Sequence, residues 1–379
     1  MSPVLVSVII PVFDGEDTIS DCLRSVTSQT HLPLEIIVVD DGSHDATADI
    51  VRRLAAEDGR IDLIVQDNQG VSAARNRGLA AASGEWVMFV DADDAFADPV
   101  LVEAVVRAGD GTDLDGGGTG LGGDGAGLDW EGTDLDGEGA GPTGEGADLV
   151  GKRVDLVGYG VRRRAGAGAA GLRTSEEPRS VEAMIREAQD TVLDTESIAG
   201  MVLDESANAV WDKAYRRSLI TNEGCSFPEG IRMGEDLLFN VACLSGADRV
   251  RILPIDGYLY RCDNADSATR RYLPDKFADL MYVNDELRKW AATSGAPELV
   301  AAAEYIRAKN VLSCMQDLHH HDCDLPRRDR LRTARRYRTR VPAVDASGLG
   351  GRRRMLCLAY NAIGVLPMFH LARLTGALR

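Results

Sequence analysis

Three carboxylates fall within four residues at Asp91-Ala92-Asp93-Asp94, directly after the apolar run Trp86 to Val90. Like charges held this close raise one another's pKa and are costly unless a cation neutralises them. Oxygen ligands suit Mg2+ or Mn2+, which keeps waters and phosphate oxygens in its remaining positions. A D-x-D in this position can hold a metal against a diphosphate. The competing reading of so short a motif is a solvated acidic turn, with Asp94 capping a following helix.

A second acidic group, Asp40-Asp41-Gly42-Ser43, follows the run Leu34 to Val39. A carboxylate at a strand end can accept hydrogen bonds from a base or a ribose. The same four residues also read as a turn, with Gly42 at positive φ. Arg75, in Arg75-Asn76-Arg77-Gly78, supplies a guanidinium that could face phosphates or simply stand in solvent. Glu235-Asp236 follows Gly234. One of these carboxylates could take a proton from a hydroxyl, and both also suit the first turn of a helix. His319-His320-His321 with Cys323 reads as a solvated helix end rather than a metal site, because adjacent helical side chains point apart. No Gly-rich phosphate loop follows the first apolar run, which ends at Pro11-Val12-Phe13-Asp14. That disfavours a dinucleotide-dependent dehydrogenase, a P-loop ATPase and a sugar nucleotidyltransferase.

These groups need elements to position them. Val4 to Ile10, Leu34 to Val39, Ile61 to Val65 and Trp86 to Val90 read as buried strands. Between them, Asp17 to Ser28, Asp45 to about Glu57 and Val71 to Ala82 carry helical apolar spacing, with Asp45 as N-cap of the second helix. The alternation predicts an α/β fold with a mostly parallel, doubly wound sheet. Ligands of such sheets bind beyond the carboxyl ends of the strands. The clusters at Asp40-Asp41 and Asp91 to Asp94 should therefore meet in one crevice. Further strands are expected at Val154 to Tyr159, Arg251 to Leu253 and Gly257 to Arg261, and a loop over 162–179. Helices are expected at Val181 to Ala188, from Gly234, and after Asp275.

The chain of 379 residues carries a net charge of −18, which disfavours nucleic acid as a partner. The charge is uneven: 108–151 has no Lys or Arg, whereas 327–379 is rich in Arg. The Gly- and Asp-rich stretch reads as a disordered insertion, because few of its side chains could form a core. Its pattern lacks the Asp that calcium-binding nonapeptide repeats require. Seven scattered cysteines without a C-x-x-C pair read as free thiols in a reducing compartment. The absence of a leader pattern and of a long apolar run predicts a cytoplasmic protein. Arg352 to Leu378 mixes basic and apolar residues as interfacial helices do, which suggests peripheral contact with the inner face of an anionic membrane. A helix packed on a protein core is the alternative.

The ordered series Val6 to Asp14, Ser28 to Thr30, Glu35 to Ser43, Gly70 to Gly78 and Gly84 to Asp94 resembles the family-two glycosyltransferases of GT-A fold. The resemblance resumes more loosely at Trp211 to Lys213, Gly234 to Asp236 and Tyr260-Arg261, and does not reach the last hundred or so residues. It implies a Rossmann-like sheet flanked by helices, with a helical C-terminal region. It implies a nucleotide pocket formed by Pro11, Val12, Phe13, Asp14, Glu16 and Asp41. Arg75, Asp91 and Ala92 would lie near the donor; Asp93 would contact the ribose or the metal shell, and Asp91 or Asp94 would complete the Mg2+ or Mn2+ site. Asp236 would be the general base of an inverting transfer from a nucleotide-diphosphate sugar, first of all a UDP-sugar, to a glycan or lipid-linked hydroxyl. The family usually has Tyr and Asn where this chain has Phe13 and Asp14. The expected parts are a nucleotide-sugar half at 1–107, the insertion at 108–150, an acceptor half at 151–270 and a basic helical region at 271–379. The competing functions are a non-catalytic nucleotide-sugar-binding protein and a membrane-surface adaptor.

Overall fold

A computed structural model describes residues 4–110, 154–164, 180–261 and 272–376. Nearly all of the acidic insertion, Cys262 and most of the loop expected over 162–179 lie outside the described residues. The chain divides into two compact units: Met1–Leu193 with Ala209–Gly230 and Ala242–Asn264, and Asp194–Asn208 with Ile231–Val241 and Ala265–Arg379.

In chain order the elements begin with β1 (Val6–Val12), α1 (Ile19–Thr27), β2 (Leu34–Asp40), α2 (Thr47–Glu57), β3 (Ile61–Val65), α3 (Val71–Ala81), β4 (Trp86–Phe89), β5 (Ala95–Phe96) and α4 (Leu101–Gly109). There follow β6 (Leu156–Arg164), α5 (Val181–Glu187), β7 (Gln189–Val192), α6 (Thr195–Leu203), β8 (Lys213–Arg216), α7 (Arg217–Asn222), α8 (Glu235–Gly246) and β9 (Arg249–Arg261). The chain ends in α9 (Lys276–Ser294), α10 (Pro297–Asp317), α11 (Arg327–Arg340), α12 (Gly351–Ala362) and α13 (Val365–Gly376).

The first unit is built on one sheet of order β3-β2-β1-β4-β8-β6-β9-β5, with β7 paired to β9. β1, β2, β3 and β4 are parallel to their neighbours among themselves. β1 and β4 are buried along their whole length, as their apolar runs required; β3, expected to be buried, is instead the edge strand, with Asp62 and Val65 exposed. The other half is mixed: β8 runs antiparallel to β4 and β6, while β6 and β9 pair in parallel. The two short strands expected near 251–261 are one strand, β9, which continues through Pro254 and Asp256. The register against β6 shifts around Gly160, so the irregularity is absorbed as a bulge rather than a break. Residues 162–164, expected in a loop, extend β6.

The helices pack as their spacing demanded. α1 buries Ile19, Cys22, Leu23 and Val26. α3 lies close on β1, since a Cβ at Gly78 would stand 2.4 Å from Ile9. Arg216, itself buried, donates to the carbonyls of Gly109 and Val154 at 2.7 and 2.8 Å. It thereby ties together the two ends of chain that flank the acidic insertion. Arg251 adds a bond to Ala108 O at 3.0 Å and a two-bond pair with Asp190. The last carbonyls of α4, which a helix leaves without partners, are satisfied this way.

The second unit is helical. Leu280, Ala308, Val311, Met315, Cys357, Tyr360, Met368 and Phe369 belong to one apolar core. Glu304 is buried in this unit and neutralised by Arg288 at 2.7 Å and Arg307 at 3.3 Å. Arg338 lies over the Tyr360 ring and donates to Val341 O and Tyr360 O, so part of the Arg-rich helix serves structure.

Candidate active site

Register fixes where the chemistry gathers. Val12 pairs with Asp40, and Ile9 with Phe89, so the carboxyl ends of β1, β2 and β4 lie side by side. The segments 13–16, 41–43 and 90–94 leave the sheet together at this edge. The two acidic clusters therefore meet at one sheet edge, as the parallel topology predicts.

The first two loops are laced to each other. Asp14 sits at φ +48. Its N–H donates to Ser43 Oγ at 2.9 Å, and its carboxylate accepts from His44 N at 2.7 Å. Gly15 N donates to Thr47 Oγ1 at 2.8 Å. Glu16 N donates to Asp45 at 3.0 Å, and Glu16 accepts from Ala46 N at 2.9 Å. Phe13 is exposed and meets His44 edge to face. Pro11 and Val12 are buried strand residues, and Val12 O accepts from Asp41 N at 2.8 Å. Asp45 is not the residue immediately before α2, but it accepts the Thr47 amide at 2.9 Å and so satisfies the helix start from one position further out.

Asp40 and Asp41 are both buried. Asp40 accepts from Ser43 N at 2.9 Å, closing the turn for which Gly42 takes φ +79. Asp41 accepts from Gln66 Nε2 and Gln69 N through one oxygen, at 2.8 and 2.9 Å, and from Gly70 N through the other at 2.7 Å. Three of the roughly four lone-pair sites of a carboxylate are thereby used to hold the loop before α3.

The third loop carries the densest charge. Arg75 is only 4% exposed and donates to Asp91 Oδ1 at 2.9 Å, with its guanidinium over the Phe227 ring. This overturns the reading of Arg75 as a solvated helix charge. Asp94 is 1% exposed. Its oxygens accept from Tyr258 Oη and from Arg261 N, each at 2.8 Å. Tyr258 Oη also accepts from Asp91 N at 3.2 Å. Asp94 thus locks the 91–94 loop to β9 and does not cap α4. Burial, and then the nearby Asp91 charge, push its carboxyl up to about 8. Burial and the charges of Asp94, Asp91 and Asp93 also push the Cys22 thiol upward. Ala92 and Asp93 are half-buried in the same loop.

The donor set bears on a divalent ion in two ways. Asp94 has both oxygens engaged by protein donors, which makes it the poorest ligand of the three. Asp91, although paired with Arg75, and Asp93 add to burial in raising the Asp94 carboxyl, and a cation would relieve that repulsion. Asp91 and Asp93 therefore fit an oxygen-seeking metal.

Several side chains at this edge make contacts that the sequence did not reveal, although Trp211 to Lys213 and Tyr260 belong to the stretches that carry the resemblance. Trp211 stacks on Tyr258 at 4.5 Å and on Tyr260 at 5.7 Å, and its carbonyl accepts from Tyr159 Oη at 3.0 Å. The alternation of Tyr258 and Tyr260 along one strand face is the pattern that could have marked them. Asn76 exchanges two bonds with the Phe227 backbone, at 2.8 and 2.9 Å, and pins the segment after α7 to α3. Beside it a polar cavity of about 360 Å³ is lined by Gln66, Gln69, Asn76, Arg77 and Glu229. Lys213 is buried and donates to Asp212 at 2.6 Å and to Ala209 O at 2.9 Å.

Asp236 belongs to the second unit. It is half-buried in the first turn of α8, after Gly234 at φ +85. His319, read as part of a helix end, has its ring nitrogen 2.9 Å from Phe369 O. His320, His321 and Asp322 bring their polar atoms within 4.8 Å of one another on an exposed turn.

Residues 7–157 match the profile of Glycosyl transferase family 2. The chain is 47% identical over 89 residues to the glycosyltransferase GlyA of Streptococcus pneumoniae, covering 24% of this chain and 13% of that protein. It is 29% identical over 268 residues to the uncharacterized glycosyltransferase EpsJ of Bacillus subtilis, covering 70% of this chain and 63% of that protein. The matched stretch thus spans less than two thirds of either relative. Among solved structures, the fold is similar to S. aureus TarS 1-349 in complex with UDP-GlcNAc, with a TM-score of 0.55 and 19% identity over 98% of this chain and 88% of that one.

Proposed function

We propose that the protein, whose residues 7–157 match the profile of glycosyl transferase family 2 and whose fold is similar to that of TarS, transfers a sugar, with inversion, from a nucleotide-diphosphate sugar to an acceptor hydroxyl. The observation that carries the reading is the meeting of three strand-end loops at one sheet edge, with Asp91 paired to a buried Arg75. UDP is the first nucleotide to test, because TarS, of similar fold, was solved with UDP-GlcNAc. The acceptor class would be a glycan or a lipid-linked sugar of a cell-surface polysaccharide or glycolipid.

In the proposed reaction the acceptor oxygen forms a bond to the anomeric carbon from the face opposite the nucleotide. The bond from that carbon to the diphosphate oxygen breaks, and its electron pair leaves with the nucleoside diphosphate. Asp236 takes the acceptor proton. A Mg2+ or Mn2+ ion held by Asp91 and Asp93 would neutralise charge on the departing diphosphate. Arg75 fixes the orientation of Asp91. Asp94, through Tyr258 and the Arg261 amide, holds the loop rigid so that Asp91 and Asp93 are preorganised. Phe13, Asp14, Glu16 and Asp41 would border the nucleotide, with Asp14, Glu16 and Asp41 also holding the loops that shape its pocket.

The test is nucleotide release from a panel of UDP-, GDP-, CDP- and TDP-sugars by the full chain, with Mn2+ and with EDTA. Metal-dependent release from one donor, abolished in Asp236→Asn, is the expected result. No release from any donor would overturn the reading.

A further inference from the structure

The last two helices carry none of the residues assigned to the proposed transfer. From Ala346 to Arg379 the sequence contains no Asp or Glu, although the whole chain carries a net charge of −18. α12 turns Cys357 and Tyr360 into the core of the second unit. Its outward residues Gly351, Met355, Leu358 and Ala362 share one helical face. Met355 is 66% exposed and Leu358 45%. Arg352 and Arg354 stand exposed beside them, and among the described residues no carboxylate pairs with either. α13 repeats the arrangement, with Met368, Phe369 and Ala372 inward, Leu366 and Leu371 about half exposed, and Arg373 outward.

A helix that buries one face in a soluble core normally turns charged or polar residues to water. These two helices instead turn out Met, Leu and Arg. Four of the nine large apolar side chains exposed among the described residues lie on them. The pairing of apolar side chains with unopposed cations is what an interfacial helix needs: side chains that enter the acyl boundary, and charges that meet anionic headgroups. A protein-binding hot spot would more often expose Trp or Tyr, whereas the aromatic residues here, Tyr360 and Phe369, point inward.

We propose that the outward faces of α12 and α13 dock on the surface of an anionic lipid bilayer. The inward faces remain packed in the helical core, so packing and membrane contact use opposite sides of the same helices. No helix among the described residues is long and apolar enough to cross a membrane, and the contact is peripheral. The inference does not rest on the transferase reading.

Vesicle flotation of the full chain tests it without any nucleotide sugar, so its failure leaves the catalytic reading untouched. The protein should float with phosphatidylcholine vesicles containing phosphatidylglycerol at low salt, and remain behind with phosphatidylcholine alone. Each arginine near the surface contributes about fivefold to partitioning, so Arg352→Gln with Arg354→Gln should weaken it roughly 25-fold. Met355→Ser with Leu358→Ser, at exposed positions, should weaken it with an unchanged melting temperature. No flotation of the unaltered chain with anionic vesicles, or equal flotation of all variants, would overturn the proposal. A lipid-free dimer that Met355→Ser dissolves would overturn it in favour of a second copy.

Discussion

Asp41, Asp91 and Asp94 at the sheet edge have their carboxylates gripped by backbone amides, a guanidinium and a phenol, whereas Arg352 and Arg354 on α12 reach solvent beside bare apolar side chains. The first arrangement fixes charges to within hydrogen-bond tolerance, which suits chemistry that depends on placement. The second leaves charges exposed and additive, which suits attraction to a surface through a field. The contrast separates two roles for charge in one chain. Changes at the sheet edge should alter turnover and stability, and changes on α12 should alter where the protein resides.

The largest expected effect is that of Asp236→Asn, which should lower turnover about 10³-fold with donor affinity unchanged. Stopped assays and calorimetry on the same preparation separate the two quantities. Turnover within tenfold of the unaltered chain would remove Asp236 from the role of base.

Arg216→Ala should act on stability, since it orphans the Gly109 and Val154 carbonyls and leaves Glu85 without its partner. A loss of about 3 kcal/mol, or roughly 6–12 °C in Tm, is expected. A melting curve that does not move would mean that the two ends flanking the insertion are held by other contacts.

A pH-dependent effect on stability concerns Asp94. Its carboxyl, pushed up to about 8 by burial and by Asp91, keeps its proton in the fold well above the ordinary value of about 4. The folded state then binds the proton more tightly than the unfolded one. Its contribution to stability is therefore present below about pH 4 and declines as pH rises towards about 8. Asp94→Asn should remove that decline. With EDTA present, the Tm difference should move in the variant's favour between about pH 5 and pH 8. A difference that stays constant with pH would show that Asp94 is ionised throughout.

The first four strands were legible because their apolar runs, interrupted only by Ser7, Glu35 and Asp62, are short and bounded by turn residues, and register then followed from parallel pairing. β9 was divided in two by Pro254 and Asp256, since sequence pattern does not reveal that a bulge against Gly160 carries the strand past them. The two-residue β5 was too short to read, and the polar residues of β7 gave no alternation to follow. At the site, the gathering of Asp41 with Asp91 to Asp94 followed from strand order alone. The role of Asp94 did not, because its partners Tyr258 and Arg261 lie 164 and 167 residues further along the chain. Arg75 was ambiguous for the same reason: its burial depends on Phe227, which arrives from a distant loop. On α12 the mixture of Arg and apolar residues was visible in sequence, but which apolar residues face outward required the packing of Cys357 and Tyr360.

The central claim is a metal-assisted nucleotide site at the strand-end edge, and calorimetric titration of UDP into the full chain tests it most directly. Binding with Mn2+ that is lost in EDTA, and lost about a hundredfold or more in Asp93→Ala, is the expected result. Absence of binding by UDP, GDP, CDP and TDP alike, with and without the metal, would contradict it.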